Sequence, residues 1–250
     1  MGFDLACHVA TSQGRSAKPN MDRAGFTRRP TGEALLVVAD GMGGHADGAT
    51  AAEIAVSTLI ESFEQARTPW GAWLKETIFR AHETIVERTT NPEAAMGSTV
   101  VAVVLDQTRA IVAHLGDSRA LLVRGDFVYR LTSDHLAIVE PSAEHDFEAL
   151  VEENRAKGHH LAHILSRCLG AGMELVADQV AIHEVERLDG DVFLLYSDGV
   201  SEFVDEQRMH AILHAARLDP RATADTIVAD AIERGSRDHS TVLVAVAREG

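Results

Sequence analysis

Short apolar runs recur along the chain, and their length and their content of Val, Ile and Leu predict β-strands. The runs predict strands over residues 5–10, 34–39, 98–105, 110–115, 120–124, 127–131, 175–183, 192–196 and 241–247. Two of the connections between them, LDQTRA and VRGDFV, have the length and the turn residues of hairpins. The sheets are therefore expected to be largely antiparallel.

A helical period replaces the strand pattern in other segments. Apolar residues recur every three or four positions over 46–65 and 72–88, and further helices are predicted over 147–157, 205–216 and 222–234. Residues 132–172 carry the weakest strand signal and are interpreted as an inserted segment. Helices combined with antiparallel strands predict an α+β fold.

Composition limits the classes of function. The 250 residues, 46% of them hydrophobic, can bury a full core, so 1–250 is interpreted as a single domain. A formal net charge of −15 with few basic clusters argues against a nucleic-acid partner. No apolar stretch approaches the roughly 18 residues of a membrane span, and the N-terminus lacks a secretion signal. Cys7 and Cys168 suit a reducing compartment, so a cytoplasmic protein is expected.

Aspartates stand where apolar strands begin or end. They are Asp40, Asp117, Asp198 and Asp238, with Asp22 in KPNMDRAGF as a fifth candidate. If these strand ends converge on one sheet edge, the carboxylates repel one another and at least one pKa rises. Hard cations such as Mg²⁺ or Mn²⁺ relieve this repulsion, because they prefer oxygen ligands. Gly41 and Gly199 are expected to let the backbone turn sharply and approach an ion.

Each aspartate also has an ordinary explanation. A single Asp at a strand end is usually a turn residue or a helix cap, and Asp-Gly is a common turn dipeptide. Only the joint pattern of strand-end aspartates favours a metal centre. A dinucleotide site is disfavoured, because the glycines of GMGGHADG lack the spacing of the GxGxxG fingerprint.

Six motifs follow one another along nearly the whole chain: ADGMGGHADG, GSTVVAVVL, AHLGDSRALLVR, LTSDH, LLYSDGVSEFV and RDHSTVLVAV. In this order they resemble the motifs of the metal-dependent, type 2C protein serine/threonine phosphatases, particularly the bacterial branch. The resemblance implies a four-layer α-β-β-α sandwich of two mainly antiparallel sheets flanked by helices. It also gives residues 132–172 the position of the family's flap, a variable element that influences substrate choice.

The resemblance implies a centre of two Mn²⁺ or Mg²⁺ ions. By this likeness Asp40 bridges the ions and the Gly41 carbonyl binds one of them, while Asp198 and Asp238 complete the other. The implied reaction is direct hydrolysis of phosphoserine or phosphothreonine. A metal-bridging hydroxide attacks phosphorus in line, and no phosphoenzyme forms.

Three further residues receive roles from the resemblance. Asp117 matches the aspartate for a third, weaker ion that it shares with Asp198, and Asp22 matches an acidic residue that acts mainly through metal-bound water. Eukaryotic relatives carry a histidine directly after the bridging Asp-Gly, where this chain has Met42. His45 is therefore the candidate proton donor, although a role in shaping the glycine loop is an equally open interpretation.

Three positions depart from the family pattern. Ala17 replaces the arginine that binds the substrate phosphate, so Lys18 or Arg15 is expected to take that role. Met21 replaces a glutamate, and a thioether does not bind hard cations as a carboxylate does. His239 replaces the common asparagine after the last metal aspartate. Because the core carboxylates remain, an active enzyme is favoured.

The predicted function is a Mg²⁺- or Mn²⁺-dependent phosphatase that acts on a phosphorylated protein and opposes a bacterial serine/threonine kinase. The expected partner is that kinase or its target, and the phosphatase is expected to be a monomer. Two alternatives stay open at this point. One is a catalytically weak, phosphoprotein-binding regulator on the same fold, and the other is a metal-dependent hydrolase of small phosphate esters.

Overall fold

The computed structural model of the protein describes residues 3–16, 19–43, 47–90, 95–136 and 164–249. The strands are β1 Phe3–Ser12, β2 Arg23–Arg28, β3 Ala34–Ala39, β4 Gly41–Met42, β5 Gly97–Ser98, β6 Val100–Leu105, β7 Arg109–Leu115, β8 Arg119–Arg124, β9 Phe127–Arg130, β10 Leu169–Gly170, β11 Ala181–Glu186, β12 Val192–Tyr196 and β13 Ser240–Glu249. The helices are α1 Asp47–Phe63, α2 Trp70–Arg88, α3 Asp198–Ser201, α4 Glu206–Ala215 and α5 Pro220–Glu233. Within these ranges, no helix combines the length and the hydropathy needed to cross a membrane.

Two five-stranded sheets form the centre of the described structure. The first has the strand order β1-β13-β12-β8-β9, and the second has the order β11-β7-β6-β3-β2. Neighbouring strands in both are antiparallel, and LDQTRA and VRGDFV form the predicted β6–β7 and β8–β9 connections. Three short strands make a small third sheet in the order β10-β5-β4.

Side chains that alternate along the buried strands create the layers. On β3, Leu35 and Val37 pack against α1 and α2. Leu36 and Val38 point the other way and share a core with Phe193 of β12, between the two sheets. Helices α4 and α5 cover the outer face of the first sheet. This α-β-β-α arrangement confirms the predicted α+β sandwich.

The structure departs from the predicted elements in two longer segments, and the short elements β4, β10 and α3 were not predicted either. Strand β2 was not predicted, because its sequence RAGFTR occupies a sheet edge where the side chains are half-buried or exposed and no apolar run is needed. The strand predicted over 175–183 is wrong in its first half, where Ala177–Gln179 form a 3₁₀ turn and Val176 is 60% exposed. The helix predicted over 147–157 lies outside the described residues.

Candidate metal centre

Strand directions bring five aspartates to one edge of the sandwich, here called the acidic edge. Strands β3 and β7 are each antiparallel to β6, so Asp40 and Asp117, which follow them, lie on the same side. Strand β12 is antiparallel to β13, so Asp198 after β12 lies beside Asp238, which precedes β13. Asp22 precedes β2, whose start pairs with the end of β3. Antiparallel pairing thus places Asp22, Asp40 and Asp117 at one edge of the second sheet and Asp198 with Asp238 at one edge of the first, and the stacking of the two sheets brings these edges together.

A cleft of about 780 Å³ opens at the acidic edge. Asp40, Asp117, Asp198 and Asp238 line it. Asp40 and Asp198 are partly buried, whereas the Asp238 side chain is 64% exposed and stands at the outer side of the cleft. Asp22 is 3% exposed and contacts Asp40 from inside the protein.

The carboxyl groups at the acidic edge perturb one another's protonation. Burial, followed by the charges of Asp22 and Asp198, raises the pKa of Asp40 well above its ordinary value. Burial, followed by the charge of Asp117, raises the pKa of Asp198 to about 8. Burial also raises the pKa of Asp22. The group cannot be fully ionised at neutral pH unless positive charge is supplied.

The oxygen atoms at the acidic edge fit a hard divalent cation. Asp22 Oδ1 and Asp198 Oδ1 are buried and have no hydrogen-bond partner among the described residues. Buried carboxylate oxygens normally have partners, so these two need a proton or a cation. The carboxylates are supplemented by the Gly41 backbone in the cleft wall, and no cysteine lines it. His239 also lines the cleft with a buried Nε2 that has no hydrogen-bond partner in the described part of the chain, so the donor set is mostly but not wholly oxygen. A set dominated by carboxylate oxygen favours Mg²⁺ or Mn²⁺ over structural zinc.

Hydrogen bonds from neighbouring strands fix the backbone of Asp40. The Asp40 N–H donates to the Thr99 hydroxyl (2.9 Å), and the Thr99 N–H donates to the Asp40 carbonyl (2.9 Å). The Ser98 hydroxyl also donates to that carbonyl (3.0 Å). Thr99 in turn shares a 2.7 Å hydrogen bond with Ser118, which follows Asp117. Thr99 therefore links the positions of the two aspartates.

Ser197 performs a similar task for Asp22. The Ser197 hydroxyl donates to Asp22 Oδ2 (2.7 Å) and accepts from the Thr241 N–H (3.1 Å). Because Ser197 directly precedes Asp198, one short segment places two of the five aspartates.

The LTSDH segment anchors the loop that carries Asp117. Arg119 donates two hydrogen bonds to the Asp134 carboxylate (3.0 and 2.7 Å), and the Gly116 N–H donates to His135 Nδ1 (3.2 Å). The His135 ring stacks on His114 with a centroid distance of 4.6 Å. His135 was not singled out from the sequence, because its contact with Gly116 depends on tertiary folding.

Gly41 and Gly199 permit close backbone contacts rather than the sharp turns expected from the sequence. Neither is among the glycines with positive φ. A Cβ on Gly199 would overlap the carbonyl oxygen of His239, and a Cβ on Gly41 would overlap the carbonyl oxygen of Gly48. Both glycines are therefore needed because neighbouring backbone lies where a side chain would be.

Gly199→Ala is expected to cost roughly 3 kcal/mol or more of unfolding free energy, because neither backbone can yield without moving Asp198. Gly71→Ala is the matched control, since Gly71 is also helical and its Cβ would meet Ile182 at an ordinary 3.4 Å. Urea unfolding of both variants measures the difference, and equal stabilities would contradict the steric explanation.

Of the three residues predicted to bind the substrate phosphate or to donate a proton, the structure describes only Arg15. Arg15 is exposed and does not line the cleft, while Lys18 and His45 lie outside the described residues. Most of the flap predicted over 132–172 also lies outside them, at 137–163. Arg237 lines the cleft and is exposed, although the sequence reasoning missed it. Its position directly before Asp238 in RDHS was the available signal.

Fold and site together define an α-β-β-α sandwich with an acidic, carboxylate-rich cleft at one edge. Comparison with known proteins identifies the family within this class of folds. Residues 9–234 match the family described as Protein phosphatase 2C. The serine/threonine phosphatase stp of Listeria innocua is 31% identical over an alignment 244 residues long, which covers 94% of this chain and 92% of the relative. The protein phosphatase PhpP of Streptococcus pneumoniae is 26% identical over 96% of this chain and 97% of the relative.

Solved structures agree with the sequence relatives. The Mycobacterium tuberculosis serine/threonine phosphatase PstP/Ppp superposes with a TM-score of 0.78 and 26% identity, covering 98% of this chain and 99% of the other. The catalytic domain of PstP in complex with two manganese ions matches with the same TM-score and identity. The chain belongs to the protein phosphatase 2C family and is a phosphatase enzyme, which confirms the resemblance inferred from its motifs.

Proposed function

We propose that this protein is a Mn²⁺- or Mg²⁺-dependent serine/threonine phosphatase that hydrolyses phosphoserine and phosphothreonine in proteins. The observation that carries the proposal is the convergence of strand-end aspartates, with unpartnered buried oxygens, on a single cleft. The naming of the Listeria relative as a serine/threonine phosphatase and the two manganese ions in the PstP structure support it.

Asp40, the Gly41 carbonyl, Asp198 and Asp238 would hold two ions, and Asp117 with Asp198 would hold a third. When bound, such ions acidify and orient water and neutralise charge on the transferring phosphoryl group. The carboxylates set the position of that positive charge within the cleft.

The proposed reaction consumes water and a phosphate monoester. Water attacks phosphorus in line, the bond from phosphorus to the Ser or Thr oxygen breaks, and that oxygen takes up a proton as phosphate is released. No covalent enzyme intermediate is required. His45 remains the proposed proton donor, with shaping of the glycine loop as its alternative role.

Arg237 is the proposed phosphate-binding residue of the described cleft wall. The formal net charge of −15 opposes an anionic substrate, so local positive charge must supply the attraction. Arg237→Ala is expected to raise KM for a phosphothreonine peptide about tenfold, equivalent to ~1.4 kcal/mol, with a smaller change in kcat.

Steady-state kinetics of Arg237→Ala should be compared with Arg221→Ala, which removes an exposed arginine from helix α5. The control should keep the wild-type KM. Arg15→Ala and Lys18→Ala test the residues favoured by the sequence. An unchanged KM in Arg237→Ala, with a raised KM in either of these two variants, would show that the N-terminal motif binds the substrate phosphate instead.

The alternative of a weak phosphoprotein-binding regulator rests on the N-terminal motif. Met21 is 7% exposed, and its sulfur lies against Gly48, so the side chain packs where the family has a carboxylate. Mn²⁺-dependent turnover of a phosphothreonine peptide above background would exclude the regulator. Faster turnover of the peptide than of a phenyl phosphate would exclude a hydrolase confined to small esters.

The proposed partner is a serine/threonine kinase or its phosphorylated target in the cytoplasm, and the proposed active form is a single-domain monomer. A monomeric mass in light scattering at assay concentration would agree with this proposal, and a stable dimer would contradict it.

A further inference from the structure

A second group of metal-binding side chains lies at the turn between β8 and β9. It consists of Asp126 in that turn with His210 and His214 on helix α4, and their ligand atoms all lie within 4.8 Å of one another. Strand β8 begins next to the acidic edge and ends at Arg124, so the turn lies at the opposite end of this strand. The group shares no residue with the candidate metal centre.

We propose that Asp126, His210 and His214 form a surface site for a borderline transition-metal cation such as Zn²⁺ or Ni²⁺. The two histidines are four residues apart on one helix, so they project from the same face. Imidazole nitrogens with a single carboxylate select Zn²⁺, Ni²⁺ or Cu²⁺, whereas the carboxylate-rich acidic edge favours Mg²⁺ or Mn²⁺. The two sites therefore differ in the cations that they prefer.

The spacing of the imidazoles suits one ion. His210 Nε2 and His214 Nε2 are 3.0 Å apart, and each lies 3.3 Å from the Gly125 carbonyl oxygen. Zinc binds imidazole nitrogen at about 2.0–2.1 Å, which places two tetrahedral ligand nitrogens about 3.3 Å apart. Side-chain shifts of a few tenths of an ångström would complete the pair, and a larger shift of the Asp126 carboxylate, which lies within 4.8 Å of both nitrogens, would supply the third ligand.

No protonation state of the two imidazoles satisfies all three of these contacts. A hydrogen bond between the two Nε2 atoms requires one of them to be unprotonated, and that atom then has no hydrogen to donate to the Gly125 carbonyl. If both Nε2 atoms carry hydrogens, their 3.0 Å contact becomes repulsive. A cation among them accepts lone pairs from both unprotonated Nε2 atoms and also attracts the carbonyl and carboxylate oxygens.

Binding at this site would join the β8–β9 hairpin to helix α4. A ligand that binds only the folded state stabilises it, so the metal should raise the thermal unfolding temperature. The inference does not rest on phosphatase activity, and its test measures metal binding rather than catalysis.

Zn²⁺ binding in excess Mg²⁺ tests the proposal, because the Mg²⁺ competes for the acidic edge equally in wild type and in every variant. Calorimetric titration of wild type is expected to show one Zn²⁺ site per chain that the variants of His210, His214 and Asp126 weaken. Loss of a partner that merely supports a metal ligand costs roughly 10–100-fold in affinity, so His210→Gln and His214→Gln should lose at least about tenfold. His183→Gln, which removes an exposed histidine from β11, should bind as wild type does.

Asp126→Asn provides a second variant in an exposed turn, and it should weaken Zn²⁺ binding while leaving unfolding in EDTA unchanged. The tetrahedral absorption of bound Co²⁺ in the visible range should weaken in the same variants. Equal Zn²⁺ affinity and stoichiometry in wild type, His214→Gln and Asp126→Asn would overturn the proposal.

Discussion

Asp198→Asn is expected to lower Mn²⁺-dependent phosphate release by at least about 10³-fold. Asp198 lies among the other carboxylates and has a buried oxygen without a partner, so its charge is available to a cation. Metal stabilisation of charge on a phosphoryl group is worth several kcal/mol, and each 1.36 kcal/mol is a factor of ten in rate. Asparagine keeps the shape of the side chain but supplies no charge.

The same substitution should leave the metal-free protein at least as stable as wild type. It removes one of the mutually repelling carboxylates, and its amide can donate to Asp40. Rates with a phosphothreonine peptide and unfolding in EDTA should be measured together. Asp189→Asn is the control, because Asp189 is an exposed turn residue whose carboxylate accepts from the Glu249 N–H. Retained activity in Asp198→Asn, or lost activity with lost stability, would contradict the assigned role.

Stability without metal is expected to fall as pH rises from about 5 to about 8. Burial raises the pKa values of Asp22, Asp40 and Asp198 in the folded protein, and repulsion from neighbouring aspartates adds to the rise at Asp40 and Asp198. Raised carboxyl pKa values favour the protonated folded state, so their stabilisation is complete below the unfolded pKa of about 3.9. It is lost as pH rises towards the Asp198 pKa of about 8. The unfolding free energy should fall by up to ~1.4 kcal/mol per pH unit for each proton that the folded state binds in excess of the unfolded state.

Mn²⁺ should flatten or reverse this slope, because a cation replaces the protons that the carboxylates otherwise require. Urea unfolding in EDTA and in saturating Mn²⁺ between pH 5.5 and 8.5 measures both slopes. Burial lowers the pKa of His82, which contributes with the opposite sign in the acidic part of this range. Because Asp198→Asn retains His82, the difference between the pH slopes of this variant and of wild type gives the contribution of the Asp198 carboxylate. Identical slopes with and without Mn²⁺ would contradict a cation site at the acidic edge.

Strands that are buried on both faces were predictable from the sequence. Ala34–Ala39 and Val192–Tyr196 have the predicted bounds, because both sheet faces exclude water and every position is apolar. Arg23–Arg28 was missed because an edge strand needs no such run. Residues 175–183 show the converse error, since apolar residues such as Val176 at a surface turn imitate a strand.

Four of the five aspartates of the acidic edge were also predictable, because each stands at the start or the end of a recognisable strand, whereas Asp22 precedes the unpredicted strand β2. Their convergence follows from antiparallel pairing, which the hairpin connections already indicated. The position of His135 could not be inferred, since its contact with Gly116 depends on tertiary folding. Arg237 was missed although it directly precedes Asp238 in the sequence. The close backbone contact between Gly199 and His239 was hidden for the same reason, although the need for glycine at that position was visible.

Phosphate release from a phosphothreonine peptide during Mn²⁺ titration of the purified protein is the most direct test of the proposed function. The rate should rise from background to saturation as Mn²⁺ fills the acidic edge, and EDTA should return it to background. A rate at saturating Mn²⁺ no higher than that of Asp198→Asn, or one unaffected by EDTA, would contradict a metal-dependent phosphatase centred on these aspartates.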